Sequence, residues 1–243
     1  MDSETNFVQF NYLQILLYHL LPGLPILIIS VIFSSPKWGF GLPIDISLML
    51  AIAFGLIPTQ WMIMFLEAKK NSIKIREVIH FTEKTKIATV IFLALPCIIF
   101  ALFVFIVLAP KEHAIWAIFN WVPNWFRLDR FNPAEQQKGV RILSLVLTFI
   151  FNGLLGPITE EIYSRGFLLP RMEKLGVAAP LINVTLFSLY HLFSPWENIS
   201  RILGLTPFVY TVWFKKNIRI GVVVHCTMNL LSCVATLFSL INF

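Results

Sequence analysis

From Phe7 to Phe33 the chain carries no Asp, Glu, Lys or Arg. A helix rises about 1.5 Å per residue, so about 20 apolar residues cross the hydrocarbon core of a bilayer, and this run exceeds that. Pro22 and Pro25 are expected to kink it. Six further apolar runs follow: Ile44–Leu66 (Asp45 at its edge, Pro58 within), Ile87–Ala109, Ile142 through Pro157, Val177–Phe193, Ile199–Phe214 and Ile220–Ile241. The pattern predicts an all-α, polytopic membrane helix bundle with about seven transmembrane helices, the fifth and sixth short and nearly contiguous. Hydrophobic residues make up 57% of the 243 and charged residues 13%, about half the charged share of a soluble domain. That balance excludes a disordered chain, a nucleic-acid module and a water-soluble globule, so the +6 net charge is read as topology rather than as a nucleic-acid footprint.

Lys and Arg placement sets orientation. Lys69, Lys70, Lys74, Arg76, Lys84, Lys86, Arg171, Lys174, Lys215, Lys216 and Arg219 fall on one side of a seven-span chain. The other side holds Lys37, the basic residues of Lys111–Arg141, and Arg201 near the membrane edge. This bias places the N-terminus and the basic loops in the cytoplasm of a cell-membrane protein. The acidic Met1–Asn6 segment leads into a first span rather than a cleavable signal. The connection Lys111–Val140 holds Trp116, Phe119, Trp121, Trp125, Phe126 and Phe131, and aromatics of this density predict an interfacial or partly re-entrant anchoring segment. Cys97, Cys226 and Cys233 lie in apolar runs without CxxC spacing and read as small buried hydrophobes.

The chemistry is concentrated where a bilayer should exclude charge. In Gly156-Pro157-Ile158-Thr159-Glu160-Glu161-Ile162-Tyr163-Ser164-Arg165, two carboxylates and a guanidinium directly follow an apolar run. Each such charge costs about 2.5–3.5 kcal/mol at a membrane helix centre on insertion scales. Glu161 and Arg165, at i and i+4, share a helix face and can form an ion pair. Glu160 is turned about 100° away, without that partner, and is a candidate general base. Alone, the two glutamates read equally well as the solvated end of a helix. Phe187-x-x-x-His191, late in the fifth span, and His225-x-x-x-Asn229 on the last helix read individually as structural polar residues. Three spans presenting such groups together point to catalysis.

Glu-Glu-x-x-x-Arg, Phe-x-x-x-His and His-x-x-x-Asn, in that order on successive helices, resemble the CAAX-protease and bacteriocin-processing (CPBP, Abi) family, whose eukaryotic member is the type II CAAX prenyl endopeptidase. The resemblance covers roughly Ile142–Ile241. It divides the chain into N-terminal transmembrane helices and loops, residues 1–141, and a CPBP-type catalytic core, residues 142–243, within one integrated membrane domain. It implies an intramembrane endopeptidase in which Glu160 and His191 hold and activate a water, His225 and Asn229 stabilise the oxyanion, and Glu161 with Arg165 supports the site. A carboxylate base, an imidazole and two side-chain donors are the parts amide hydrolysis requires, with no serine or cysteine nucleophile.

Glu160, His191 and His225 could instead form a His₂Glu zinc set. There is no HExxH pair, and using both histidines as ligands would remove an oxyanion donor, so a metal-free mechanism without cofactor is favoured over a zinc metalloprotease. The partners implied are the lipid bilayer and a membrane-associated peptide or protein substrate, with no nucleic acid. A non-catalytic immunity or scaffold protein is the competing class, disfavoured by the complete motif set. A proton-relay transporter is disfavoured by the absence of a repeat. The depths estimated for Glu160, His191 and His225 predict a site that opens to the cytoplasmic, basic-loop side.

Overall fold

The computed structural model describes residues 8–128, 132 and 135–241. Among these residues the regular structure is helical, with one isolated β-bridge between Thr82 and Asn217. Helix α1 (Tyr12–Leu20) starts at a capping box, where the Asn11 side chain accepts from the Gln14 amide and the Gln14 side chain accepts from that of Asn11. The chain bends at Leu21-Pro22 into α2 (Gly23–Ser34). It returns as α3 (Ile44–Ala51), a π-helical segment (Ile52–Leu56) and α4 (Ile57–Lys70), one continuous helix with Pro58 directly after the π-helical segment. Helix α5 (Ile87–Trp116) crosses with Pro96 and Pro110 inside it.

The next pass is segmented. It runs through α6 (Lys138–Leu147), a π-helical segment (Thr148–Leu155), α7 (Gly156–Glu161), a second π-helical segment (Ile162–Leu168) and 3₁₀ turns (Leu169–Ala178). The helical path breaks at Met172 and at Gly176, whose φ of 53° is one that glycine adopts freely. Then come α8 (Ala179–Leu189), α9 (Asn198–Lys215) and α10 (Ile218–Ile241).

Five stretches are long and apolar enough to cross a membrane, against the seven expected: Tyr12–Ser34, Ile44–Lys70, Ile87–Glu112, Lys138–Leu189 and Ile218–Phe238. The expected fifth span contains only the 11 residues of α8, which continue from α7 through the Met172–Gly176 break. The expected sixth, α9, has 18 residues but carries Asn198, Ser200, Arg201 and Lys215, which dilute its apolar character.

The two ends of the bundle differ. At one end the basic loops are tied together by main-chain hydrogen bonds. The amide of Phe10 donates to Arg171 O (3.0 Å), that of His80 to Gly166 O (2.7 Å), that of Ile218 to Phe81 O (2.8 Å) and that of Glu83 to Lys216 O (3.0 Å). The Arg171 guanidinium adds bonds to the carbonyls of Val78 (2.9 Å) and Phe167 (2.7 Å). At the other end, Trp116 and Phe119 meet Trp196 edge-on, each at 5.8 Å between ring centroids. Ser200 there donates to Glu112 and Ser144 to Asp45. Trp38 and Trp121 stand 75% and 77% exposed, as aromatics at the headgroup level would. The aromatic connection, expected to be an interfacial or partly re-entrant segment, is formed by the end of α5 followed by short 3₁₀ turns at Ala117–Phe119 and Asn124–Phe126. Phe131 lies outside the described residues.

Candidate active site

Glu160 and Glu161 occupy the last turn of α7, between two π-helical segments. Such widened turns recur at functional sites because they redirect side chains and free main-chain groups. The Gly156 amide reaches back five residues to Phe151 O, so close that a Cβ on Gly156 would crowd that carbonyl. Pro157 then restarts the α-helix at its first turn.

The two adjacent carboxylates face different surroundings. Glu161 and Arg165 are fully buried, with Arg165 Nη1 3.2 Å from Glu161 Oε1. The guanidinium is sandwiched by rings, 4.1 Å from the Phe187 centroid and 5.1 Å from that of Phe208. The same Glu161 Oε1 lies 3.0 Å from His225 Nδ1. Its other oxygen lies against the α10 backbone at Gly221, where any Cβ would collide with the carboxylate.

Glu160 points at both catalytic-type histidines. Its Oε1 is 3.9 Å from His191 Nε2 and its Oε2 is 3.7 Å from His225 Nε2. His191 Nδ1 is 2.8 Å from Phe187 O, a carbonyl that can only accept, so Nδ1 carries the proton and Nε2 presents a lone pair toward Glu160. His225 Nδ1 likewise donates to Glu161. Phe187 packs edge-on against both imidazoles, at 5.1 Å and 5.9 Å. Asn229, one turn beyond His225 on α10, donates from Nδ2 to Asn152 O (2.8 Å), a carbonyl of the first π-helical segment flanking α7.

A cavity of about 750 Å³ brings Glu160, His191, His225 and Asn229 onto one wall. Helices α2 and α3 supply apolar lining through Ile26, Leu48 and Met49, and the cavity continues to Asp45, Glu112 and Arg141 at the aromatic end. Its lining includes none of the tied basic loops. The cavity thus extends away from the loops beside which the sequence places its opening. His191, expected deep on a rising fifth helix, sits in the turn after α8, which stops at Leu189.

Zinc would need three donors converging at about 2.0–2.2 Å. Among the described residues no group of three His, Cys, Asp or Glu is spaced to hold a metal ion.

Sequence reasoning missed several supports. Arg201, counted only as a topological charge, is buried and clamps the turn that carries His191: it donates to Ser194 Oγ (2.8 Å) and pairs with Glu197 (2.5 Å). The i, i+4 spacing of Glu197 and Arg201 was the available signal. Asn183 donates to Ser164 O (3.0 Å), fastening α8 to the second π-helical segment, and no local pattern announces it.

Residues 142–231 match a family model described as Rce1-like, type II CAAX prenyl endopeptidase. The match covers that segment and leaves the N-terminal helices outside it. Neither the curated proteins nor the solved structures compared with the chain contain a match. The Rce1-like segment begins in α6 and ends in α10, so it holds all six residues singled out by the sequence motifs. The family is one of membrane-embedded peptidases, in keeping with a multi-pass chain of apolar helices.

Proposed function

We propose that this protein is an intramembrane endopeptidase that cuts a membrane-associated peptide or protein by direct attack of water. The observation that carries this reading is that the two oxygens of Glu160 face the Nε2 atoms of His191 and His225 at 3.9 and 3.7 Å. These separations are too long for direct hydrogen bonds and short enough for one water to serve both groups. Glu160 takes a proton from that water while its oxygen adds to the scissile carbonyl carbon. His191 Nε2 holds the water in line. The carbonyl oxygen becomes an oxyanion, stabilised by Asn229, held by Asn152 O, and by His225 as the imidazolium, which keeps its Nδ1 proton on Glu161 and donates from Nε2. Collapse breaks the C–N bond, and Glu160 returns its proton to the leaving amine. These steps use no metal.

We read α8 and α9 as the short fifth and sixth crossings of a seven-span chain, which gathers the basic loops on one face. The peptide then approaches from the opposite, aromatic face, where Glu112 and Arg141 line the far end of the cavity. If the basic loops are cytoplasmic, the cavity faces outward.

The test is purified protein in lipid vesicles with membrane-anchored fluorogenic peptides, lipidated and unlipidated at the C-terminal region, and mass spectrometry of the products. Cleavage that disappears in Glu160→Gln and His191→Ala supports the reading, and cleavage unchanged by Glu160→Gln overturns it. Cysteines introduced at Arg141 and Gly176, after replacement of Cys97, Cys226 and Cys233, should label from opposite sides of the membrane.

A further inference from the structure

The tied end carries charge that the proposed chemistry does not use. Residues 81–86, leading into α5, and residues 215–219, joining α9 to α10, lie side by side through the Thr82–Asn217 bridge. The amides of Glu83 and Ile218 donate to Lys216 O (3.0 Å) and Phe81 O (2.8 Å), and Asn217 Nδ2 donates to Glu83 O (2.9 Å). Buried Phe81, edge-on to Trp213 at 5.7 Å, anchors the pair. These two segments bring together Lys84, Lys86, Lys215, Lys216 and Arg219, all exposed, with a single carboxylate, Glu83. No ion pair among the described residues engages any of the five cations. Lys216 has a φ of 46° at the end of α9, a conformation usually given to glycine, so a cation is kept there at a cost to the backbone. The loop after α4 is more mixed, with Lys70 at 4.0 Å from Glu67 and Glu77 next to Arg76.

Apolar surface adjoins these cations. Ile87, Ile91 and Leu95, four residues apart on α5, are exposed, as is Phe214 in the last turn of α9. Helix α5 packs on α9 here, with Cys97 Sγ 3.8 Å from Thr211 Oγ1. A surface that is apolar along the helix and cationic at its end matches a phospholipid, with an acyl chain on the helix and the phosphate among the cations. We propose that the platform formed by residues 81–86 and 215–219 binds the phosphate headgroup of an anionic phospholipid, drawn from the leaflet on the basic-loop side. A zwitterionic lipid offers the same phosphate but adds a cation that the platform repels, so net charge selects the lipid. Membrane orientation requires only that cations lie on one side, whereas here they are held in register by main-chain bonds. The proposal does not depend on the endopeptidase reading.

The test is the full-length protein in detergent micelles, titrated with phosphatidylglycerol or phosphatidylcholine and followed by thermal unfolding. Phosphatidylglycerol should raise the unfolding temperature saturably, phosphatidylcholine should not, and the shift should shrink as salt is added. Lys84→Gln and Arg219→Gln should each weaken the apparent affinity for phosphatidylglycerol about fivefold, the size expected for one charge near an anionic surface. Lys69→Gln and Lys74→Gln, on the same side of the membrane but off the platform, should leave it unchanged. Single neutralisations leave the other basic residues to orient the chain, so each variant can be purified and titrated. Equal shifts from the two lipids, or equal losses in the platform and off-platform variants, would overturn the proposal. Soluble glycerol phosphate that reproduced the whole shift would make this a site for free phosphate and overturn its assignment to a lipid.

Discussion

The two faces of the short helix α7 begin with the same residue type and end in opposite roles. On one face Glu161 is sealed from solvent, shared between Arg165 and His225, and pressed against the backbone of α10 at Gly221. On the other, Glu160 meets only the lone-pair edge of His191 and the Nε2 of His225, across a gap that borders the cavity. A carboxylate sealed between a guanidinium and an imidazole can hold structure, and one with space beside it can exchange a proton. Adjacent positions on a helix are separated by about 100°, and that rotation alone assigns the two roles.

The sealed face should respond to mutation through stability. Arg165→Ala leaves Glu161 as an unpaired buried charge, which costs about 3–5 kcal/mol. Loss of folded, monodisperse protein is expected, read as thermal unfolding in detergent, and a stable, fully active Arg165→Ala protein would erase the contrast. The cavity face should respond through turnover. His225→Ala and Asn229→Ala each remove a donor aimed at charge present only in the transition state, worth about 2.7–4 kcal/mol in kcat. His225 touches both faces, so its alanine variant should also lower stability, whereas that of Asn229 should lower stability little. A change in KM alone for Asn229→Ala would count against the oxyanion assignment.

The smallest effect belongs to the tied end, at His80. Burial, aided by the nearby Arg171 charge, lowers its pKa from 6.5 to about 4. The unfolded chain therefore binds a proton between these values that the folded chain does not, and stability is lost as pH falls from 6.5 toward 4. His80→Gln should flatten that part of the stability–pH profile without moving turnover at neutral pH.

Much of this contrast was legible in the sequence. The i, i+4 spacing of Glu161 and Arg165 gave their pairing, and the apolar runs gave a helical membrane bundle. What escaped depends on three-dimensional neighbours. The π-helical segments around α7 have no local pattern. Arg201 looks like an edge charge until Ser194 and Glu197 are seen around it. The extent of the cavity has no local signal either: basic residues report which loops share a side, whereas the cavity follows the packing of α3, α5 and α6 at the other end.

The division of labour between the two glutamates is tested most directly by comparing Glu160→Gln and Glu161→Gln in one preparation, measuring thermal stability and peptide turnover on the same samples. Glu160→Gln should unfold at the wild-type temperature and lose turnover by about 10²–10⁴-fold, because the shape remains and the base is gone. Glu161→Gln should lose stability first, since it strands the Arg165 guanidinium between two aromatic rings. A Glu160→Gln protein that turns over normally, or a Glu161→Gln protein as stable as the wild type, would contradict the assignment of the two faces.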